Sequence, residues 1–405
     1  MARALLLENP HHETDALLRA VGLEVERHPG ALDEDELIEA LDGVSLLGIR
    51  SKTRVTKRVF EAHPQLEAIG TFSIGTTQID LLEATRAGVA VFNAPFSNTR
   101  SVVELAVAEI IALNRRLTER DRALHEGRWE KSAAGAHEVR GLTLGIIGYG
   151  NIGTQLSVVA EALGMTVVFF DLQERPALGN AKRCRTMEEV FRAADVVSIH
   201  VDDSPANGGL IGAREFSQMK QGTLFLNLSR GFVVDVEALR DNIVEGHIAG
   251  AAVDVYPEEP KANGDPFASP LRGLPNVILT PHIGGSTLEA QYEIGQFVGN
   301  KLAGYAKAAS TDMSVNLPRL TLTPSPESRY RVAWVHRNMP GVLALVNQAF
   351  AESGANISGQ ILGTVHEIGY MITDLSSEIA PEALEALRNL EGTIRLRVLE
   401  RHLRG

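Results

Sequence analysis

The sequence predicts an α/β protein with two doubly wound parallel sheets and a smaller C-terminal βαββαβ unit. Three observations predict it: short apolar runs alternate with amphipathic stretches through most of the 405 residues, a glycine fingerprint interrupts that alternation midway, and the pattern changes after a proline-containing break.

Composition allows this. Apolar residues are 44% and charged residues 22% of the chain, a globular balance at a length that predicts more than one domain. A formal charge of −12 argues against nucleic acid or an anionic membrane as partner, because both need a clustered basic face. Cys184 is the single cysteine, no apolar run approaches a membrane span, and MARALLLENP lacks the features of a signal peptide, so the expected location is the cytoplasm. The histidines show no metal-ligand spacing, and no metal is expected.

The elements follow in order. ALLL, VSLLGI, LEAIG and VAVFN read as strands, with amphipathic stretches such as Asp33 to Leu41 between them. Thr99 to His125 carries Val102, Val103, Leu105, Ala106, Ile110 and Leu113 on one broad face and reads as one long helix joining two domains. LGIIG, VVFFD, VVSIH, TLFLNL, GAAVDV and VILT are near-continuous apolar runs, as strands buried on both faces require. A helix is expected from near Ser286, where Ser286 and Glu289 fit a capping box. TLTPSPESRY reads as a linker, and a separate small unit follows in the order βαββαβ. The expected domains are 1–97 with 286–318, then 98–285, a linker at 319–328, and 329–405.

The fingerprint is LGIIGYGNIG, which sets Gly148, Gly150 and Gly153 at G-x-G-x-x-G spacing between a strand and a helical stretch. Gly148 permits the tight turn, Gly150 lets the backbone approach a pyrophosphate, and Gly153 lets helix pack on strand; Asn151 and Ile152 at the helix start offer N–H groups to the anion. Asp171 ends the next strand, where a carboxylate binds the ribose hydroxyls of NAD and repels the extra phosphate of NADP, although Arg175 stands nearby. Out of that context the glycines are only a flexible turn.

Later strands of this sheet end near Arg230, Glu259 and His282. In an open parallel sheet the carboxyl ends of strands face the ligand crevice, so all three can point at one pocket. Alone, each has an ordinary structural reading as an ion pair, a solvated charge or a hydrogen-bonded histidine. Together they suit a 2-hydroxy acid: Arg230 to hold its carboxylate, His282 to exchange the hydroxyl proton, and Glu259 to fix the imidazole tautomer and raise its pKa. Gly284 and Gly285 allow close backbone approach beside the histidine.

GYGNIG, NLSRGFVVD, AAVDVYPEEP and LTPHIGGST, in this order, resemble the D-isomer-specific 2-hydroxyacid dehydrogenases, most closely the bacterial branch that acts on 3-phosphoglycerate, and the resemblance covers nearly the whole chain. It implies a flavodoxin-like substrate domain, a Rossmann NAD domain and an ACT domain. The implied reaction is NAD-dependent oxidation of 3-phosphoglycerate to 3-phosphohydroxypyruvate, the first step of serine synthesis, with Arg230, Glu259 and His282 at the catalytic positions. Further implied NAD contacts are Leu228, Ser229, Arg230, Asp254, His282, Ile283, Gly284 and Gly285.

GIRSKTRVT gathers Arg50, Ser51, Lys52 and Arg54 at a strand end, a suitable place for a phosphate on an acidic chain and otherwise a solvated basic turn. The resemblance puts substrate contacts at Arg50, Ser51 and Lys52, at Ser73, Ile74 and Gly75, and at Asn98. Lys131 is expected to reach a neighbouring subunit's cleft with Trp129 as its anchor, within a homotetramer. HRNMPGVL and GANISGQ resemble the serine-inhibited ACT form and imply L-serine contacts at His336, Asn338 and Asn356. That form carries a glycine pair where this chain has PSPES, which predicts a stiffer connection. Two other readings stay open: a reductase for another 2-keto acid such as hydroxypyruvate, glyoxylate or 2-oxoglutarate, and an NAD-sensing corepressor-like binding protein.

Overall fold

The computed structural model describes residues 2–260 and 263–400, which divide into two compact units, one from 2–97 with 291–400 and the other from the described residues of 98–290. The first unit opens with β1 (Arg3–Leu7), α1 (Glu13–Arg19), β2 (Glu24–His28), α2 (Glu34–Ala40), β3 (Val44–Ile49), α3 (Lys57–Ala62), β4 (Ala68–Thr71), α4 (Leu81–Arg86) and β5 (Ala90–Phe92). The strands form a parallel sheet in the order β2-β1-β3-β4-β5, the flavodoxin-like arrangement. β1, β3, β4 and β5 are apolar and buried because helices cover both faces. β2, with the sequence EVERH, has no apolar run and escapes a hydrophobic pattern; it forms because an edge strand needs one partner and keeps its charges in water.

The second unit begins with α5 (Thr99–Arg115) and α6 (Leu117–His125). One continuous helix was expected here. The chain instead takes a left-handed turn at Arg116, φ 50°, whose guanidinium bonds Glu119 at 2.5 and 3.0 Å. No glycine or proline announces the break. Then come β6 (Thr143–Ile147), α7 (Asn151–Ala162), β7 (Thr166–Phe170), β8 (Lys182–Arg183), α8 (Met187–Ala193), β9 (Val196–Ile199), α9 (Ala213–Ser217), β10 (Thr223–Asn227), α10 (Val236–Val244), β11 (Ile248–Val253) and β12 (Val277–Leu279). Their sheet runs β12-β11-β10-β9-β6-β7-β8, the doubly wound Rossmann order with one added strand. The order reverses between β6 and β9, which makes the crevice at their carboxyl ends the natural ligand site.

α11 (Leu288–Ala308) starts two residues later than expected. Its cap is Thr287, whose Oγ1 accepts the Ala290 N–H at 3.1 Å, so the expected capping box at Ser286 and Glu289 is not the one used.

The chain ends with β13 (Tyr330–Arg337), α12 (Val342–Glu352), β14 (Ile357–Val365), β15 (Ile368–Leu375), α13 (Pro381–Asn389) and β16 (Thr393–Glu400), an antiparallel sheet in the order β14-β15-β13-β16. This is the βαββαβ unit that the sequence predicts, yet it does not stand apart. Ala333, Val335, Tyr370 and Ile372 share one core cluster with Leu6, Phe92, Val298, Leu302 and Tyr305. Arg331 and Asp374, 2% and 1% exposed at the side chain, pair at 2.6 Å, and the same guanidinium donates to the carbonyls of Ala308 and Leu322. Leu320 and Leu322 pack on that core too, so the expected linker is laid against the unit it leads into.

Candidate active site

Within the second unit, β6 ends in the glycine fingerprint. Gly148 has φ +91°, and a side chain there would strike the His200 carbonyl; one on Gly153 would strike the Gly148 carbonyl. These two glycines are required by the fold. Gly150, the residue before α7, is different: a Cβ there meets nothing within 4 Å. Its missing side chain leaves room in front of a helix start, where backbone N–H groups without intrahelical partners favour an anion. That cradle fits a dinucleotide pyrophosphate, with Asn151 and Ile152 in the first turn.

Asp171 follows β7 directly. Its Oδ2 accepts the Tyr149 N–H and its Oδ1 the Gln173 N–H, both at 2.8 Å, and Arg175 lies 4.0 Å away. The carboxylate is therefore tied to the glycine turn, and a carboxylate with one bond per oxygen can still accept from ribose hydroxyls.

β11 ends at Val253 and delivers Asp254, which is 1% exposed. Sequence reading made it a cofactor contact. In the structure it holds the loop after β12: Oδ1 accepts Thr280 Oγ1 at 2.6 Å and the Ile283 N–H at 2.8 Å, and Oδ2 accepts the Gly284 N–H at 2.8 Å. Tyr256 closes the other side, its hydroxyl donating to the carbonyls of Val253 and Thr280. The loop so held turns at His282, a non-glycine residue with φ +53°. Such backbone persists only when its surroundings fix it.

Held there, His282 Nδ1 lies 2.9 and 3.0 Å from the two Glu259 oxygens. The Glu259 hydrogen bond and charge raise the imidazole pKa above its ordinary value, against the opposing effect of burial. Burial alone pushes Glu259 up, but its bond to His282, the Tyr256 N–H at 3.2 Å and the nearby Arg230 charge leave it below the usual carboxylate range. Because Nδ1 faces the carboxylate, Nε2 is the nitrogen left to exchange a proton.

Arg230 joins the pair through backbone contact. Gly231 lies directly on the Tyr256 carbonyl group, leaving no room for a side chain. Asn227, which sequence reading missed, shapes this turn: its Oδ1 accepts both the N–H and the hydroxyl of Ser229, and its Nδ2 donates to the Arg230 carbonyl. The guanidinium donates to the Ser229 carbonyl and stands 3.8 Å from Asp203. Leu228 is buried under the same turn. Asn98, before α5, packs against Gly285. Lys131 and Trp129 lie on the exposed segment after α6, with Trp129 79% exposed.

Glu109 gave no sequence signal beyond a charge on an apolar helix face. It is 3% exposed, neither oxygen has a hydrogen-bond partner among the described residues, and burial with the neighbouring Asp254 charge pushes it up to about 8. His200 is pushed down to about 4 by burial and keeps a neutral ring against Ser198.

In the first unit, the expected substrate residues occupy the loops after β3 and β4. The Arg50 carbonyl accepts from Thr71 Oγ1 and Gln78 Nε2, Thr71 and Ser73 hydroxyls lie 2.7 Å apart, Ser73 donates to the Gly75 carbonyl, and Asn93 donates to the Ile74 carbonyl. One polar network thus joins both loops.

The expected effector residues are not gathered in one chain. His336 is fully buried, stacked on Trp334 with Nδ1 at the Arg337 carbonyl, and burial lowers its pKa. Asn338 follows β13 and bonds the β14–β15 turn at His366 and Glu367. Asn356 precedes β14 and bonds Ser376, at the opposite end of the sheet. Among the described residues there is no cluster able to hold a metal, and no helix long and apolar enough to cross a membrane.

Residues 107–284 match the family described as D-isomer specific 2-hydroxyacid dehydrogenase, NAD binding domain, and residues 332–395 the AHAS small subunit-like ACT domain. D-3-phosphoglycerate dehydrogenase of Escherichia coli K12 is 47% identical over 398 residues, covering 98% of this chain and 97% of that one. Among solved structures, the TT0316 protein of Thermus thermophilus superposes with TM-score 0.67 at 31% identity, over 74% of this chain and 95% of that one. D-lactate dehydrogenase from Aquifex aeolicus, complexed with NAD and lactic acid, gives TM-score 0.65 at 25% identity, over 75% of this chain and 95% of that one.

Proposed function

The chain belongs to the D-isomer-specific 2-hydroxyacid dehydrogenase family, among its D-3-phosphoglycerate dehydrogenases, and from that premise we propose that it oxidises 3-phospho-D-glycerate to 3-phosphohydroxypyruvate with NAD. The observation that carries the reading is the His282–Glu259 pair beside Arg230 on a loop fixed by Asp254.

NAD bound at the glycine turn supplies the hydride acceptor. Arg230 binds the substrate carboxylate through its planar fork. His282 Nε2 takes the hydroxyl proton as the carbon loses hydride, and Glu259 stabilises the imidazolium that forms. In the reverse direction His282 returns the proton. The basic loop at Arg50, Ser51 and Lys52 takes the phosphate, and the backbone of Ser73, Ile74 and Gly75 offers N–H groups to the carboxylate.

The ACT sheet takes L-serine as feedback effector, at an interface between two chains of a homotetramer. The placement of Asn356 supports this, since it lies a full strand length from His336 and Asn338. β14 is an edge of its sheet among the described residues, open to pairing with a second copy. Antiparallel pairing of two such edges brings Asn356 of one chain to the hairpin that holds Asn338 of the other. Lys131 completes a neighbouring active site from its exposed segment.

The test is NADH formation by purified protein with 3-phosphoglycerate, with product removed by a coupled step, with and without serine. Turnover that serine suppresses supports both assignments. Turnover indifferent to serine removes the feedback claim, and absence of turnover together with NADH consumption on glyoxylate or 2-oxoglutarate moves the reading to a reductase of another keto acid.

A further inference from the structure

β1 ends in two consecutive non-glycine residues in left-handed backbone, Glu8 at φ 63° and Asn9 at φ 55°. Single residues of this kind are uncommon outside glycine and adjacent ones more so, because the side chain crowds the neighbouring carbonyl. Their surroundings must compensate. What the turn achieves is visible in the hydrogen bonds of Glu8. Its Oε2 accepts the Lys52 N–H at 3.0 Å and its Oε1 accepts the Thr53 N–H at 2.8 Å, across more than forty residues of chain. The Glu8 N–H is bonded in turn to the Gly30 carbonyl, which anchors the residue from the far side.

The two N–H groups belong to the segment Arg50, Ser51, Lys52, Thr53. Successive backbone N–H groups in a strand-end loop make an anion site by themselves. Here an internal carboxylate already fills that site, bidentate, at the half-buried Glu8 with the fully buried Thr53 beneath it. The loop's other end is fixed separately: Gln78 Nε2 donates to the Arg50 carbonyl, to Thr71 Oγ1 at 2.7 Å and to Ser73 Oγ at 3.4 Å. The segment is therefore clamped at both ends, with Ser51 and Lys52 exposed between them.

We propose that Glu8 is a positioning residue for phosphate recognition: by occupying the Lys52 and Thr53 N–H groups it fixes the basic loop so that its side chains, and not its backbone, meet the substrate phosphate. The carboxylate has a second effect. It stands behind the loop as a fixed negative charge, so a phosphate dianion is favoured only where the loop's cationic side chains stand between the two. Glu8 thereby makes discrimination between a phosphorylated acid and its phosphate-free counterpart depend on Arg50, Ser51 and Lys52. The inference rests on the proposed substrate, and it concerns discrimination and not the chemical step, since these bonds of Glu8 lie within the first unit and the His282 pair within the second.

The test compares NADH-dependent reduction of 3-phosphohydroxypyruvate and of hydroxypyruvate by the full-length protein and its Glu8→Gln variant. The amide of that variant has a single acceptor oxygen and cannot accept from both N–H groups in the same way; losing one such bond lowers kcat/KM for the phosphorylated substrate about tenfold, through KM. Hydroxypyruvate reduction stays within about twofold, because the loop adds nothing to a substrate without phosphate. Equal falls on both substrates, or no change on either, overturn the proposal. A wild-type protein without preference for the phosphorylated substrate overturns the proposed substrate instead. If Glu8→Gln loses NADH binding through misfolding, Glu8→Asp, which keeps the charge but falls short of the loop, is read in the same way. A Glu8→Gln, Lys52→Ala double variant adds a second criterion: the two losses of discrimination are less than additive if Glu8 acts through the loop and additive if it does not.

Discussion

Glu259 Oε2 lies 2.9 Å from His282 Nδ1, and the histidine reaches it from left-handed backbone that Asp254 holds by the two following N–H groups. The imidazole is thus set by one carboxylate through its ring and by another through its backbone. The two have separable consequences.

Replacing Glu259 by Gln removes what raises the His282 pKa. Oxidation needs the neutral imidazole, so its rate rises with pH through that pKa; reduction needs the imidazolium and fades as pH rises through it. Glu259→Gln therefore moves both limbs to lower pH, which paired kcat/KM profiles in the two directions will show. A profile that keeps its position contradicts the assignment of Glu259.

Replacing His282 by Asn removes the proton acceptor and leaves the glycine turn intact. The expected fall in kcat is about 10²- to 10⁴-fold, with NADH affinity by fluorescence titration nearly unchanged.

Glu109 makes a stability prediction with a definite sign. Its folded pKa, about 8, lies above the unfolded 4.5, so the folded state holds a proton that the unfolded state releases between these values. Its ionisation costs the folded state nothing below pH 4.5, and that cost grows as pH rises towards 8. Glu109→Gln should raise Tm by roughly 5 °C or more near the folded pKa and by little near the unfolded one. A pH-independent difference in a thermal scan would mean that Glu109 does not titrate there.

Arg331→Met strands the Asp374 carboxylate, which is 1% exposed, and should cost about 3–5 kcal/mol by denaturant unfolding. Adding Asp374→Leu recovers part of the loss. Recovery stays incomplete because the Ala308 and Leu322 carbonyls also lose their donor.

The elements legible in the sequence are those whose pattern has a local cause. Continuous apolar runs mark strands buried on both faces, and the three glycines at 148, 150 and 153 mark a turn that few other residues can make. Arg230, Glu259 and His282 could be nominated together because each follows a strand of one parallel sheet, whose topology carries strand ends to a common edge. β2 was not, since a charged edge strand has no apolar period, and neither was the helix break at Arg116, where the left-handed turn is compensated by the bond to Glu119.

By itself, then, the sequence determined the fold class and the nucleotide turn, and it nominated Arg230, Glu259 and His282 for the proposed proton-transfer site, because periodicity and strand-end position are local properties. Only the tertiary structure decided that Asp254 holds the loop around His282, that Glu8 grips a loop far away in the chain, and that the C-terminal sheet shares a core with the N-terminal one. These depend on which buried donor finds which acceptor. That choice is made by packing between segments distant in sequence, and no window of residues records it.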